Sequence, residues 1–212
     1  MRIIAGHYRG HGLVAPRGSK TRPTSDRVRE SVFATLERYG IIHDAHVMDI
    51  FAGSGALGCE AISRGSASVT FVDNSRGAAA AITANIEKLG IRSQTRMVCA
   101  SASAELTRSK PGSVDLIFAD PPYVFGMAQI HTFLRLCAPV LSGDDAVIVL
   151  EQSARSEPPC PVGASLRLST ENHTAVELEL FREKTYGETV IRYFQLAGRY
   201  DKSYESCVSR FL

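Results

Sequence analysis

The sequence predicts an α/β protein with a mainly parallel sheet, an antiparallel C-terminal hairpin and a small N-terminal extension. Between residues 46 and 150, short apolar segments alternate with amphipathic helical segments, which is typical of parallel strands joined by crossover helices. Beyond residue 165 the helical periodicity stops. Two apolar segments there, residues 176–181 and 190–196, are separated by a connection short enough for antiparallel pairing. A glycine-rich segment directly after the first strand makes the predicted fold Rossmann-like.

The first 40 residues are predicted to form a basic extension of a hairpin and a helix. Residues 1–5 and 13–15 have the pattern of short strands around a glycine-rich turn, and Ser25 or Thr24 can cap the helix that follows. The apolar face of that helix consists of Val28, Val32, Phe33 and Leu36. Residues 1–30 have a net charge of +5, which leaves −3 for the rest of the chain. A polyanion partner and a solvated charged face explain this distribution equally well.

Residues 41–197 are predicted to form the main domain, followed by a polar tail at residues 198–212. Its strands are expected at residues 47–51, 68–73, 96–99, 114–119, 146–150, 166–169, 176–181 and 190–196. Its helices are expected at residues 56–64, 76–89 and 102–108, with a fourth that has Ile130, Phe133, Leu134 and Cys137 on its apolar face. The last two strands should meet in a turn at residues 186–188.

Composition indicates a protein with one core that acts in a reducing compartment. The chain has 212 residues, of which 44% are hydrophobic, enough to bury one good core. It has no apolar run of about 18 residues, so we expect neither a membrane span nor a membrane partner. The five cysteines form no C-x-x-C pair, so no metal site is expected. Cys59, Cys99 and Cys137 lie in apolar patterns and should be buried. We expect a reduced, cytoplasmic, monomeric protein.

The segment VMDIFAGSGALG, residues 47–58, organises the rest of the chain. A buried strand leads into Gly53, Gly55 and Gly58, which have the G-x-G-x-x-G spacing, and a helix follows. Such glycines allow a tight turn and a close ligand, and the helix N-terminus favours an anion. Asp73 lies 20 residues after Gly53, at the end of the second strand, where a carboxylate can bind ribose hydroxyls. This motif fits a dinucleotide and S-adenosylmethionine (SAM) equally, because both contain adenosine.

The segment Asp120-Pro121-Pro122-Tyr123 follows the fourth strand and should face the same crevice, because the carboxyl ends of parallel strands share one edge. Two prolines stiffen it and remove two N–H donors, so the Asp120 carboxylate and the Pro121 carbonyl remain as acceptors. Two acceptors on an exocyclic amine favour a pyramidal nitrogen with its lone pair aimed at an electrophile. Stacking of the base on Tyr123 would contribute about 1–3 kcal/mol. We therefore predict these four residues to be catalytic.

The motifs FAGSGALG, VD at the second strand and DPPY resemble those of SAM-dependent amino-methyltransferases. The N-terminal sequence MRIIAGHYRG…TRPTSDRVRESVF resembles the RsmD family more specifically, and the similarity extends to about residue 196. The family methylates N2 of guanine 966 in 16S ribosomal RNA. The resemblance implies SAM as the cofactor and 16S rRNA as the partner, in an assembled or assembling 30S small ribosomal subunit.

The resemblance also implies site residues. Gly53, Gly55 and Gly58 would line SAM, Asp73 would take its ribose hydroxyls, and Asp49 would lie near its amino-acid end or simply bond the glycine loop. The predicted cofactor residues are Asp49, Phe51, Gly53, Ser54, Gly55, Gly58, Asp73, Asn74, Ser101, Ala102 and Asp120. The predicted RNA-binding residues are Arg9, Arg22, Arg27 and Arg29, the last two lying off the apolar stripe of their helix. Asn74 and Ser101 depart from the family pattern, which leaves adenine recognition open.

Four other functions stay open on sequence grounds. A DNA adenine-N6 methyltransferase shares DPPY but needs a larger target-recognition region. A protein-glutamine methyltransferase favours Asn at position 120. An NAD oxidoreductase fits G-x-G-x-x-G but needs a substrate domain. A non-catalytic SAM-binding RNA assembly factor has no need of an intact DPPY segment.

Overall fold

An eight-stranded sheet forms the centre of the computed structural model, which describes residues 1–16, 25–122, 124–169 and 175–197. Its strands in chain order are β1 His46–Ile50, β2 Ser68–Asp73, β3 Thr95–Cys99, β4 Leu116–Ala119, β5 Val147–Ser153, β6 Ser165–Ser169, β7 Ala175–Tyr186 and β8 Thr189–Leu196. Their order in space is β3-β2-β1-β4-β5-β8-β7-β6. Strands β1 to β5 are parallel, whereas β8 pairs antiparallel with β5 and β7, and β6 pairs antiparallel with β7. The predicted α/β sheet with an antiparallel hairpin is confirmed.

Five α-helices cover the two faces of the sheet in the described part of the chain. They are α1 Asp26–Arg38, α2 Ala56–Ser63, α3 Arg76–Leu89, α4 Ala102–Arg108 and α5 Met127–Cys137. Side chains alternate along each strand, so Phe71 and Phe118 pack with α1, α2 and α3, whereas Val72 and Ile117 pack with α4 and α5. Helices α3 and α4 have the predicted bounds. No described helix has both the length and the apolar character to cross a bilayer.

Strand β7 is longer than the sequence predicts. The apolar pattern ends at Phe181, but β7 continues to Tyr186, which pairs with Thr189 across the turn at Gly187 and Glu188. A bulge between Leu180 and Arg182 shifts the register there. The four residues that follow Phe181 are mostly polar, so a pattern based on hydrophobicity stops too early.

Residues 1–14, which we call the N-terminal hairpin, form a tight loop with one β-bridge, between Arg2 and Gly12, rather than the two predicted strands. Ile3 N–H donates to the His11 carbonyl, and Leu13 N–H donates to the Met1 carbonyl, both at 3.0 Å. Ile3 and Leu13 are buried in the same core as α1, α2 and α3. The N-terminal hairpin therefore packs on the main domain.

Helix α1 begins as predicted, because Ser25 Oγ accepts the Val28 N–H at 3.3 Å. Its predicted apolar face is buried in the core. Thr24, the other candidate cap, and the tail at residues 198–212 lie outside the described residues.

Cys59 and Cys137 are buried as expected, but the prediction for Cys99 is wrong, since it is exposed at the end of the edge strand β3.

Candidate active site

The loops that carry the predicted site residues meet at one edge of the sheet. Ile50 of β1 pairs in register with Val72 of β2 and with Ala119 of β4, so the strand ends are level. Asp73 pairs with Cys99, which places the end of β3 beside them. The carboxyl ends of parallel strands are where open α/β sheets bind ligands. We call the space above these ends the crevice.

Asp73 holds the glycine-rich loop and the next helix at the same time. Its Oδ2 accepts the Gly53 N–H at 2.9 Å, and its Oδ1 accepts the Ser75 N–H at 2.8 Å. Ser75 in turn caps α3, with Oγ accepting the Ala78 N–H at 3.3 Å. A carboxylate offers about four acceptor positions, so two are still available for ribose hydroxyls.

The side of Gly55 and Gly58 that would carry a Cβ packs closely against side chains of β2 and α3. A Cβ at Gly58 would lie 2.3 Å from an atom of the Phe71 ring and 2.7 Å from Val69. A Cβ at Gly55 would lie 3.0 Å from Phe71 and 3.2 Å from Ile82, and the φ of Gly55 is +74°. The missing side chain of Gly58 lets α2 approach β2 closely, and contact of its backbone with the cofactor stays a prediction.

Asp49 ties β1 to α2 from within the core. Its Oδ2 accepts the Gly58 N–H at 2.9 Å, and the residue is 2% exposed. Burial is the main cause that raises the pKa of Asp49 to about 8; the carboxyls of Asp73 and Asp120 also raise it, and the Gly58 hydrogen bond lowers it. Of the two roles left open for Asp49, the bond to the glycine segment is present, and contact with a ligand stays a prediction.

The crevice is acidic, and Glu151 adds to this although the sequence analysis did not select it. Burial, with a smaller contribution from the nearby Glu151 carboxyl, raises the pKa of Asp120 to about 7. Glu151 lies on β5 and is 6% exposed. It is the first charged residue after the run AVIVL, just as Asp73 and Asp120 come directly after apolar runs, and that repeated signal could have identified it.

This charge distribution separates the two ligands that G-x-G-x-x-G allows. A cleft lined by one sign of charge concentrates the opposite sign. The charges acting on Asp49 are those of Asp73 and Asp120, and the charge acting on Asp120 is that of Glu151. Such a crevice attracts the sulfonium and ammonium groups of SAM and repels the pyrophosphate of a dinucleotide. The residues present therefore fit SAM.

Aromatic packing fixes the DPPY segment against the glycine-rich loop. Phe51 has a φ of +60°, which is strained for a residue with a side chain. Its ring packs edge-on against Phe125 at 5.6 Å between centroids and contacts Phe133 at 5.8 Å. Phe125 N–H donates to the Pro122 carbonyl at 2.9 Å, which closes the turn after the two prolines. Tyr123 lies outside the described residues.

The residues predicted to lie near adenine have mainly structural contacts. Ser101 caps α4, with its Oγ accepting the Ala104 N–H at 3.2 Å. Ala102, the first residue of α4, packs on the core, and the Asn74 side chain is exposed. Adenine recognition by Ser101 or Asn74 is still a prediction.

The predicted RNA-binding arginines differ in exposure. Arg9 and Arg27 are exposed, and Arg22 lies outside the described residues. Arg29 is 0% exposed: its Nη2 donates to Asp26 Oδ1 at 2.9 Å and to the Arg2 carbonyl at 2.6 Å, and burial lowers its pKa. The prediction that Arg29 projects toward phosphate is wrong, because the N-terminal hairpin covers the side of α1 that helical periodicity marks as polar.

Comparisons with known proteins agree with this geometry. Residues 1–195 match the family described as "Conserved hypothetical protein 95". A Haemophilus influenzae relative named ribosomal RNA small subunit methyltransferase D is 34% identical over 197 residues, covering 92% of this chain and 93% of the relative. The chain belongs to the RsmD family. An Escherichia coli K12 protein with the same name is 33% identical over 196 residues, covering 92% of this chain and 89% of its own.

A solved structure extends the agreement to the fold. The structure, named putative methyltransferase yhhF from Escherichia coli, has a TM-score of 0.72 at 31% identity and covers 94% of this chain and 99% of its own. The predicted family and fold are thus confirmed, and the chain is a methyltransferase.

Proposed function

We propose that this protein transfers a methyl group from SAM to the exocyclic N2 of guanine 966 in 16S rRNA, within an assembled or assembling 30S particle. Its RsmD relatives named for small-subunit ribosomal RNA support the substrate class. The observation that carries the chemistry is the partly buried Asp120 carboxyl, held by a proline-stiffened turn inside an acidic crevice. We expect the protein to work as a monomer in the cytoplasm, where small subunits assemble.

SAM supplies an electrophilic methyl group, and the chain's own residues orient it. Asp73 would accept hydrogen bonds from the ribose hydroxyls with its remaining lone pairs. The loop that contains Gly53 and Ser54 would bind the amino-acid end, with Asp49 fixing that loop through Gly58. The carboxylates of Asp73 and Glu151 would compensate the positive charge of the cofactor.

Asp120 and Pro121 would hold the target amine. The Pro122 carbonyl already accepts the Phe125 N–H, so the Asp120 carboxylate and the Pro121 carbonyl are the acceptors we assign to the two N–H groups. These bonds strengthen as positive charge develops on nitrogen, so they stabilise the transition state more than the ground state. The amine must also release one proton. A carboxyl with a pKa of about 7 is suited to receive it near neutral pH.

The exposed basic side chains of the N-terminal region would position the RNA. Arg9 lies on the N-terminal hairpin and Arg27 on α1, and both face solvent. Lys88 of α3 donates to the Gly12 carbonyl at 2.6 Å, which brings another cation to the same region. Phosphate contacts of this kind set the register of a nucleic acid without reading its bases.

One experiment separates this proposal from its two alternatives, a DNA adenine methyltransferase and a non-catalytic assembly factor. Tritium transfer from SAM should be measured side by side on naked 16S rRNA, on 30S particles that lack the modification and on DNA, followed by nucleoside analysis. We expect N2-methylguanosine from the ribosomal substrates. N6-methyladenine from DNA would favour a DNA adenine methyltransferase. SAM binding without transfer to any substrate would favour an assembly factor.

A further inference from the structure

The N-terminal hairpin is held between α2 and α3 by buried polar side chains. Glu60 of α2 accepts the Ile4 N–H at 2.7 Å and the Ala5 N–H at 3.0 Å. Ser63 of α2 accepts the Tyr8 N–H at 2.9 Å through its Oγ. Helix α2 also follows the glycine-rich loop directly, so the hairpin and the loop share one support.

Asn85 of α3 connects the N-terminal hairpin to the glycine-rich loop itself. Its Oδ1 accepts the Val14 N–H at 2.7 Å, and its Nδ2 donates to the Val14 carbonyl and to the Ser54 carbonyl, both at 2.9 Å. The residue is 0% exposed. Exchanging the oxygen and nitrogen of the amide would place donors against a donor and acceptors against each other, so only one orientation satisfies all three bonds. Both amide hydrogens are used, one for each partner segment.

A second contact joins the same two segments. The Ser54 hydroxyl lies 3.7 Å from the Met1 sulfur, at the other end of the N-terminal hairpin. One end of the hairpin, Met1, therefore lies against Ser54. The other end, Val14, bonds the Asn85 amide that also holds Ser54. A displacement of the hairpin would break these contacts and release Ser54.

We propose that Asn85 is a positioning residue that couples RNA binding at the N-terminal hairpin to SAM binding at the glycine-rich loop. The inference rests on the proposed function, since it assigns RNA to the hairpin and SAM to the loop. Two states differ in whether the three Asn85 bonds are made. RNA contacts the docked hairpin and SAM contacts the ordered loop, so each ligand favours the bonded state and thereby the binding of the other. Linkage makes the effect reciprocal.

The coupling is measured as the ratio of two dissociation constants for S-adenosylhomocysteine, the demethylated product, which binds without turnover. One titration contains the protein alone, and the other contains a saturating amount of 30S particles that lack the modification. We expect tighter binding with particles in the wild type, by a factor within the roughly 5–150-fold range of coupled sites. In Asn85→Ala the ratio should fall severalfold toward one, because the direct link from Val14 to Ser54 is lost while Glu60 and Ser63 still hold the hairpin on α2.

Thr83→Ala is the matched control on the same helix. Among the residues that the structure describes, Thr83 Oγ1 bonds only the Ala79 carbonyl within α3, at 2.8 Å, so this variant should keep the wild-type ratio. If Asn85→Ala fails to fold, Asn85→Ser removes the link to Ser54 with a smaller loss of polar contacts. Hydrogen exchange of residues 51–58 in the wild type gives an independent measurement, since particles alone should protect these amides.

A wild-type ratio of one overturns the coupling, and so does a folded Asn85→Ala or Asn85→Ser protein whose ratio equals that of Thr83→Ala. A purely structural role predicts this last result, with a lower melting temperature and an unchanged ratio. Failure of the proposed function looks different, because the wild type would then bind no S-adenosylhomocysteine or transfer no methyl group to ribosomal RNA.

Discussion

Gly58→Ala tests the packing that positions the glycine-rich loop. The added methyl carbon would lie 2.3 Å from a Phe71 ring atom and 2.7 Å from Val69, and both side chains are fully buried. Neither can rotate away, so α2 must move off β2. Overpacking of a core costs about 1–3 kcal/mol, and two contacts this short place the variant at the upper end. Replacing Gly by Ala in a helix returns up to about 1 kcal/mol, which leaves a net loss of about 2 kcal/mol.

This loss should appear in a thermal melt. For a chain of this size, 1 kcal/mol shifts the melting temperature by about 2–4 °C, so Gly58→Ala should melt about 4–8 °C lower. SAM affinity should fall as well, because the shift disturbs the Gly58–Asp49 bond and the loop before α2. Calorimetric melts and titrations measure both effects.

Gly77→Ala is the matched control for this change. Gly77 lies in the first turn of α3, and an added Cβ would lie 3.6 Å from Ser75 Oγ, an ordinary contact. Helix propensity then dominates, and the variant should be as stable as the wild type or up to about 1 kcal/mol more stable. The reasoning is refuted if Gly58→Ala melts within a degree of the wild type and binds SAM equally well.

Three further predictions follow from charge and burial. Turnover should rise with pH through about 7, because Asp120 must be ionised to accept from the amine, and rate–pH profiles measure this. The free energy of unfolding should fall as pH rises from about 4 to about 8, because the folded state keeps protons on Asp49 and Asp120 that the unfolded state has already released. Denaturant titrations that show rising stability in this window would contradict the assignment. Arg27→Ala should weaken RNA binding and lower its salt slope by about 0.7–0.9. Arg29 is buried, so Arg29→Ala should lower the melting temperature instead. Equal salt slopes for the two variants would mean that Arg27 makes no phosphate contact.

The sequence predicts most of the fold because its signals are local. The 4, 4 and 3 spacing of apolar residues in α3, the glycine after it and the alternation of strands with helices depend on neighbours along the chain. The active edge was also predictable, since Asp73 ends one apolar strand and Asp120 directly follows another. Parallel pairing brings such strand ends together whatever the loops do.

The remaining features depend on tertiary neighbours. Helical periodicity marks Arg29 as polar and outward, but the N-terminal hairpin packs over that side and buries it. Gly58 of α2 satisfies the motif spacing, yet the reason it must be a glycine is the close packing of Phe71 from strand β2. Asn85 is one polar residue within an amphipathic helix, and nothing in its spacing indicates that it bonds both Val14 and Ser54. Residues that join distant segments are therefore the ones that pattern analysis misses.

The central claim is that Asp120 holds the N2 amine of a 16S rRNA guanine during methyl transfer. It is tested most directly by the single-turnover rate of N2-methylguanosine formation on 30S particles that lack the modification. Asp120→Ala should lower this rate by roughly a hundredfold or more, the scale of losing one transition-state acceptor, with SAM affinity nearly unchanged. Asp145→Ala, an exposed carboxylate before β5 at the opposite edge of the sheet, should leave the rate unaltered. A near wild-type rate for Asp120→Ala would contradict the account.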